Sequence, residues 1–226
     1  RINFNYTLQF ADGSGSNANS GANLASTGQP NLRILQPLDF DQRHSFVLNY
    51  DYRFGSEKDY KGPSFKNKSG KVVQLLEDVG FNLSFLVGSG TPYTRWSQAV
   101  PLTGTRSNIL GQINGSTKPW NFRTNLRIDK NIPLKWGKGT DEEKKTANLN
   151  VYVQVLNVLN RKNVLNVYNF TGNPDDDGYL TSTQAAAALA IANSAIGFSD
   201  LYAIRVNNPG NYNLPRQTRI GLLFEF

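Results

Sequence analysis

The sequence predicts an all-β fold in which about six antiparallel strands form part of a large transmembrane β-barrel. Three observations carry that expectation. Six segments alternate apolar and polar residues with a period of two. Their apolar faces are rich in aromatic residues, while the opposite faces carry Asn, Gln, Asp and Arg. The connections between them alternate between long and short. No apolar run approaches the roughly 20 residues of a membrane-spanning helix, so a bilayer would be crossed on strands.

The first segment, INFNYTLQF, places Ile2, Phe4, Tyr6, Leu8 and Phe10 on one face and Asn3, Asn5, Thr7 and Gln9 on the other. A Gly/Ser/Asn-rich connection from about Ala11 to Arg43 follows. HSFVLNYDYRF then sets Phe46, Leu48, Tyr50, Tyr52 and Phe54 against Asn49, Asp51 and Arg53. The shorter, charged connection GSEKDYKGPSFKNKSGK leads to GFNLSFLVG, which carries Phe81, Leu83, Phe85 and Val87. GSGTPYTR reads as a strand ending in a turn at Gly88, Gly90 and Pro92, because it lacks the Gly-Lys-Ser/Thr ending of a phosphate-binding loop. The third connection runs from about Ser89 to Lys118. WNFRTNLRIDK carries Trp120, Phe122, Leu126 and Ile128; PLKWGKGTDEEKKT forms a short fourth connection; and ANLNVYVQVLN carries Leu149, Val151, Val153 and Val155.

The fifth connection, about Asn160 to Pro215, is the longest. Within it TSTQAAAALAIANSAIG predicts one short helix, capped by Thr181 or Ser182, ended by Gly197 and resting on protein through its alanines. RQTRIGLLFEF closes the chain with Thr218, Ile220, Leu222, Phe224 and Phe226 on one face. Gln217, Arg219, Gly221 and Glu225 fall on the other, with Leu223 the apolar exception.

With Phe226 on the periplasmic side, every long connection falls outside the cell, as in outer-membrane barrels. Six strands do not close a membrane barrel, which begins at about eight, and an open edge in lipid leaves backbone groups unsatisfied at several kcal/mol each. The chain also opens on Arg1 with neither a start Met nor a signal peptide. The expectation is the C-terminal part of a larger protein, or one chain of a barrel that another completes.

Composition removes other classes. The net charge of +7 and isoelectric point near 9.6 raise the question of nucleic acid. The cations, however, are scattered through turns (Lys58, Lys61, Lys66, Lys68, Lys71) and polar strand faces (Arg53, Arg123, Arg127, Arg219), so no nucleic-acid partner is expected. Absence of cysteine removes disulfides, thiolate nucleophiles and zinc-cysteine sites. The single histidine, His44, has no nucleophile elbow to serve; a contact with Asp39 or Asp41 is expected of it, and no enzymatic activity.

NPDDDGYLTSTQ sets Asn173, Asp175 and Asp177 at the first, third and fifth positions of a calcium loop, before Gly178. Gln184 stands where the bidentate Glu would be. The segment is therefore either a calcium site, the one cofactor the sequence raises, or an acidic turn before a helix N-terminus.

Several stretches together resemble one family: LDFDQRHSFVLNYDYRFG, GSGTPYT, NLRIDKNI, VYVQVLNVLNRKNV, YNFTGNPDDDGYL and NNPGNYNLPRQTRIGLLFEF. They are similar to the C-terminal barrel of TonB-dependent outer-membrane receptors, of the Bacteroidetes type that carries a carboxypeptidase-regulatory-like domain. The resemblance covers nearly the whole chain from about Leu38 and is most specific from Val151 to Leu180 and over the last twenty residues. It implies a barrel of about 22 strands, of which these are the last six. It also implies a plug domain within the barrel, coupling to TonB, residence in the bacterial outer membrane and import of a nutrient selected by external loops.

By the same resemblance the row Thr218, Ile220, Leu222, Phe224 and Phe226 is an assembly signal for the outer-membrane machinery. Arg53, Arg123, Arg127 and Arg219 would face the lumen and pair with acidic plug residues. The competing expectation is a barrel without transport, acting as scaffold or subunit of an outer-membrane complex whose partner protein binds the external loops.

Overall fold

A computed structural model of the chain describes residues 1–17, 19, 34–56, 59–68, 70–104, 107–137 and 145–226. Lys58 and parts of the first four connections lie outside the described residues. Six strands form one antiparallel sheet in chain order: β1 (Ile2–Leu8), β2 (His44–Arg53), β3 (Val79–Gly88), β4 (Asn121–Trp136), β5 (Lys145–Leu156) and β6 (Gln217–Glu225). Each strand pairs with its sequence neighbours, so the sheet is a meander. It is open among the described residues, with β1 and β6 as its edges.

The alternation fixes the register. Apolar positions meet apolar positions across every pair, as in Tyr6 with Phe46, Leu48 with Phe85, Ile128 with both Phe81 and Val153, and Val151 with Leu222. A slip by one residue would exchange the two faces, so this matching resists it. β4 and β5 are longer than expected, because their pairing runs on to Trp136 and Lys145 through residues read above as the fourth connection. Pro133 is tolerated there: the pairing of β4 with β3 ends at Lys130 and Val79, which leaves that side of β4 free beyond.

The sheet is staggered in one direction. The upper ends of β1 to β4 lie near one row, Thr7, Ser45, Gly88 and Asn121. β5 joins β4 only from Leu126, opposite Val155. At the lower end the row Arg53, Gly80 and Asp129 is overrun by β4 and β5 down to Trp136. A drift of roughly one residue per strand, at ~3.3 Å per residue and ~4.8 Å between strands, corresponds to a tilt of about 35°.

Little of the sheet is covered. Ile220 is 76% exposed, Phe4 61% and Leu222 69%, and only Val79 and Ala147 on the apolar face are buried hydrophobics. The other buried hydrophobics, Ala99, Tyr179, Ala185 and Val206, lie in the long connections above the sheet. The core is therefore a loop layer, held as much by buried Asn and Asp as by hydrocarbon.

Two helices stand where one was expected: α1 (Thr183–Ile191) and α2 (Ala195–Val206). Ser182 caps α1, accepting from the Ala185 amide, and Ser194 opens α2 by accepting from Gly197. Gly197 thus sits in the first turn of α2 and terminates nothing; the second Ser cap restarts the helix. Of the alanines in α1 only Ala185 is buried.

Candidate functional site

Two polar assemblies are built on this frame. The first lies on the polar face of the lower sheet. Arg53 on β2 donates to Asp129 on β4 at 2.5 Å and to the Asp78 carbonyl at 3.0 Å. The Asn150 amide on β5 donates to both Asp129 and Asn131, at 2.9 and 2.6 Å. The Arg127 guanidinium lies 4.1 Å over the Tyr152 ring, whose other neighbour is Gly221: a Cβ there would stand 2.3 Å from Tyr152 Cζ. These groups border a polar cleft of about 470 Å³ that also includes Leu223, the apolar exception of β6.

Of the four arginines singled out by sequence, Arg53 and Arg127 join this network. Arg219 donates to Gln217 on its own strand, and Arg123 is exposed higher on β4. Arg53 and Arg127 thus find partners within the sheet itself.

The second assembly is the loop layer. Asn163, 2% exposed, uses its amide as a strand would: the Phe122 backbone N–H donates to its Oδ1 and its Nδ2 donates to the Phe122 carbonyl, at 2.9 and 2.7 Å. Asn157, at φ 53°, donates to the Arg161 and Leu214 carbonyls and so ties the exit from β5 to the entry into β6. The Tyr168 hydroxyl donates to the Val206 carbonyl within the fifth connection, while the Leu102 amide donates to the Tyr202 hydroxyl and Asn169 to the Thr94 carbonyl, two bonds that lock the third connection to the fifth. Gly90 lets the third connection fold back, because a Cβ there would meet the Lys118 carbonyl oxygen at 1.8 Å.

The expected calcium loop is organised by protein donors. Asn173 Oδ1 accepts from the Asp175 amide, Asp175 accepts the Tyr212 hydroxyl, and Asp177, 5% exposed, accepts from the Tyr179 amide and the Tyr202 hydroxyl. Among the described residues no three His, Asp or Glu side chains are grouped as a metal would need. The bond to Asp175 pushes the Tyr212 hydroxyl up to about 12. Burial and the bond to Asp177 raise Tyr202 as well.

His44 does not reach Asp39 or Asp41. As the first residue of β2 it lies on the apolar face, stacked between Tyr6 and Trp120 with Nδ1 3.0 Å from the Tyr6 hydroxyl. Asp41 is engaged by Arg43 and the Ala11 amide instead. With Phe46 these rings form one aromatic cluster at the upper end of the apolar face. Tyr52, Phe54 and Phe81 form another at the lower end.

The row Thr218, Ile220, Leu222 and Phe224 runs along the exposed apolar side of β6, the free edge, and Phe226 follows the strand at 98% exposure. Asn157, Asn163, Tyr202 and Tyr212 escaped the sequence reading. The signal for Asn163, Tyr202 and Tyr212 is the Asn and Tyr enrichment of the fifth connection, which names no partner, and Asn157 precedes it without a motif.

Comparison of the chain with protein-family models, with curated proteins and with solved structures found no match in any of the three.

Proposed function

We propose that this chain is the C-terminal barrel portion of a TonB-dependent outer-membrane receptor. On this reading its strands cross the bacterial outer membrane with the apolar face toward lipid, and its long loops stand outside to capture a nutrient for import. One observation carries the reading: a six-strand apolar face that no element covers among the described residues. In water such a face would drive association, whereas acyl chains solvate it.

Three features support it. The opposite face is polar and internally hydrogen-bonded, as a lumen requires. The stagger matches the tilt of barrel strands. The aromatic clusters stand at the two ends of the apolar face, where the interfaces would fall. Further strands are needed to satisfy the edges at β1 and β6. By the resemblance they come with a plug, which gates the lumen, and with TonB, which supplies energy to move it.

A second reading, a scaffold or subunit of an outer-membrane complex, draws on Ile191, Ile196, Leu201 and Ile204. These are exposed apolar side chains on the loop helices, suited to a protein partner.

The test is to extract the polypeptide carrying this sequence from outer membranes in detergent and measure its intact mass. The receptor reading expects a mass several times 25.1 kDa, with room for a plug and further strands, and nutrient uptake that stops when TonB is removed. A mass equal to this chain alone contradicts it.

A further inference from the structure

Where β5 leaves the sheet and β6 enters it, residues 160–162, 207, 209, 212, 213 and 215, with Asp175, border a cleft of about 650 Å³, within the range of small-ligand sites. Arg161 and Lys162, adjacent in sequence, line it together with Asn160, Asn207 and Asn213. Neither cation has a carboxylate within ion-pair distance among the described residues. The Arg161 guanidinium lies 4.4 Å over the Phe122 ring, and Lys162 Nζ lies 5.7 Å from the centre of Tyr212. The one carboxylate on the wall, Asp175, already accepts the Tyr212 hydroxyl. A guanidinium stacked on a ring keeps its N–H edges free, and those edges match the oxygens of phosphate.

The position narrows the ligand. Phe122 belongs to the apolar face of β4, opposite Val87. Leu159 and Leu214, beside the cleft in sequence, are 69% and 64% exposed. The cations therefore open on the line where the apolar face meets the loop layer. We propose that this cleft binds the phosphate headgroup of an anionic lipid, with Arg161 and Lys162 holding the phosphate and Leu159 and Leu214 meeting its acyl chains. The proposal rests on the membrane reading above. It assigns the cleft to the surrounding leaflet and not to an imported nutrient.

The test uses the detergent-purified protein, short-chain phosphatidylglycerol, short-chain phosphatidylcholine and inorganic phosphate, with retained lipid counted by native mass spectrometry. Phosphatidylglycerol should be retained, and at least tenfold more weakly by the double variant Arg161→Gln, Lys162→Gln. The exchange Arg161→Lys, Lys162→Arg should preserve most of the binding. That second variant keeps the result readable if the first misfolds, with near-ultraviolet circular dichroism reporting the fold of both. Equal retention of the two lipids, loss of binding in the charge-preserving variant, or full retention by a folded double variant overturns the proposal. Displacement by inorganic phosphate at equal concentration assigns the site to a free anion and overturns the lipid assignment. Failure of the membrane reading is distinct: the protein would then stay in solution without detergent.

Discussion

Asn163 pairs through its side-chain amide with both backbone groups of Phe122, so the upper end of β4 gains the bonds that a neighbouring strand would have made. This contact, with Arg161 over the Phe122 ring, ties the longest connection to the sheet. Replacing Asn163 by Ala removes both partners from a buried site, and an unmade bond costs more than a made one gives. The expected loss is about 2 kcal/mol. Limited proteolysis should show it as earlier cleavage between Val164 and Leu214, while the sheet remains resistant.

Arg53 and Asp129 are unequal partners: their side chains are 43% and 10% exposed. Solvent screening at Arg53 reduces the value of the pair, so Arg53→Gln should cost only about 1 kcal/mol. Asp129→Ala should cost more, because it also strips a bond from Asn150. A double-mutant cycle in denaturant measures both. Equal losses would mean that the Asn150 bond contributes no more than the bond from Arg53 to the Asp78 carbonyl.

Alkaline pH should loosen the loop layer. Tyr212 is protonated up to about 12 in the folded chain against 10.0 for the free group, so between those values the folded state holds a proton that the unfolded state has released. Stability from this group is full below pH 10 and declines as pH rises toward 12. Tyrosinate absorbance should therefore lag in the native protein, and Tyr212→Phe should remove part of the lag. Tyr202, raised by burial and Asp177, and Tyr168, raised chiefly by burial, add to the lag in the same direction.

Gly90→Ala should be among the most damaging of small substitutions. Its Cβ would collide with the backbone of Lys118, which cannot rotate away as a side chain could. Gly70→Ala meets no atom within 4 Å and bears only the strain of a positive φ, about 1 kcal/mol. Thermal unfolding of the two variants should separate widely.

The strands were legible because their signal is local. Phe46, Leu48, Tyr50 and Tyr52 need only alternate to declare a face, and all six expected segments became strands of one sheet. What was missed depends on neighbours distant in sequence. The start of PLKWGKGTDEEKKT reads as a connection because its pairing with β5, beyond the end of β3, is not local, and Ser194 falls inside the single expected helix although it caps the second. His44 was paired with the nearest carboxylates in sequence, whereas stacking on Tyr6 and Trp120 decides its place. Asp175 and Asp177 each accept a tyrosine hydroxyl, from Tyr212 and Tyr202, and neither tyrosine belongs to a motif that names its partner.

The central claim, that one face of this sheet meets lipid, is tested most directly on β6. This chain has no cysteine, so Arg219→Cys and Ile220→Cys, made in the full polypeptide with any cysteine outside these residues replaced by Ser and reconstituted in bilayers, place single labels at neighbouring residues on opposite faces. With the apolar face in lipid, a lipid-soluble quencher should reach the label at 220 and a water-soluble one should not, with the reverse preference at 219. Equal access of the aqueous quencher to both would contradict it.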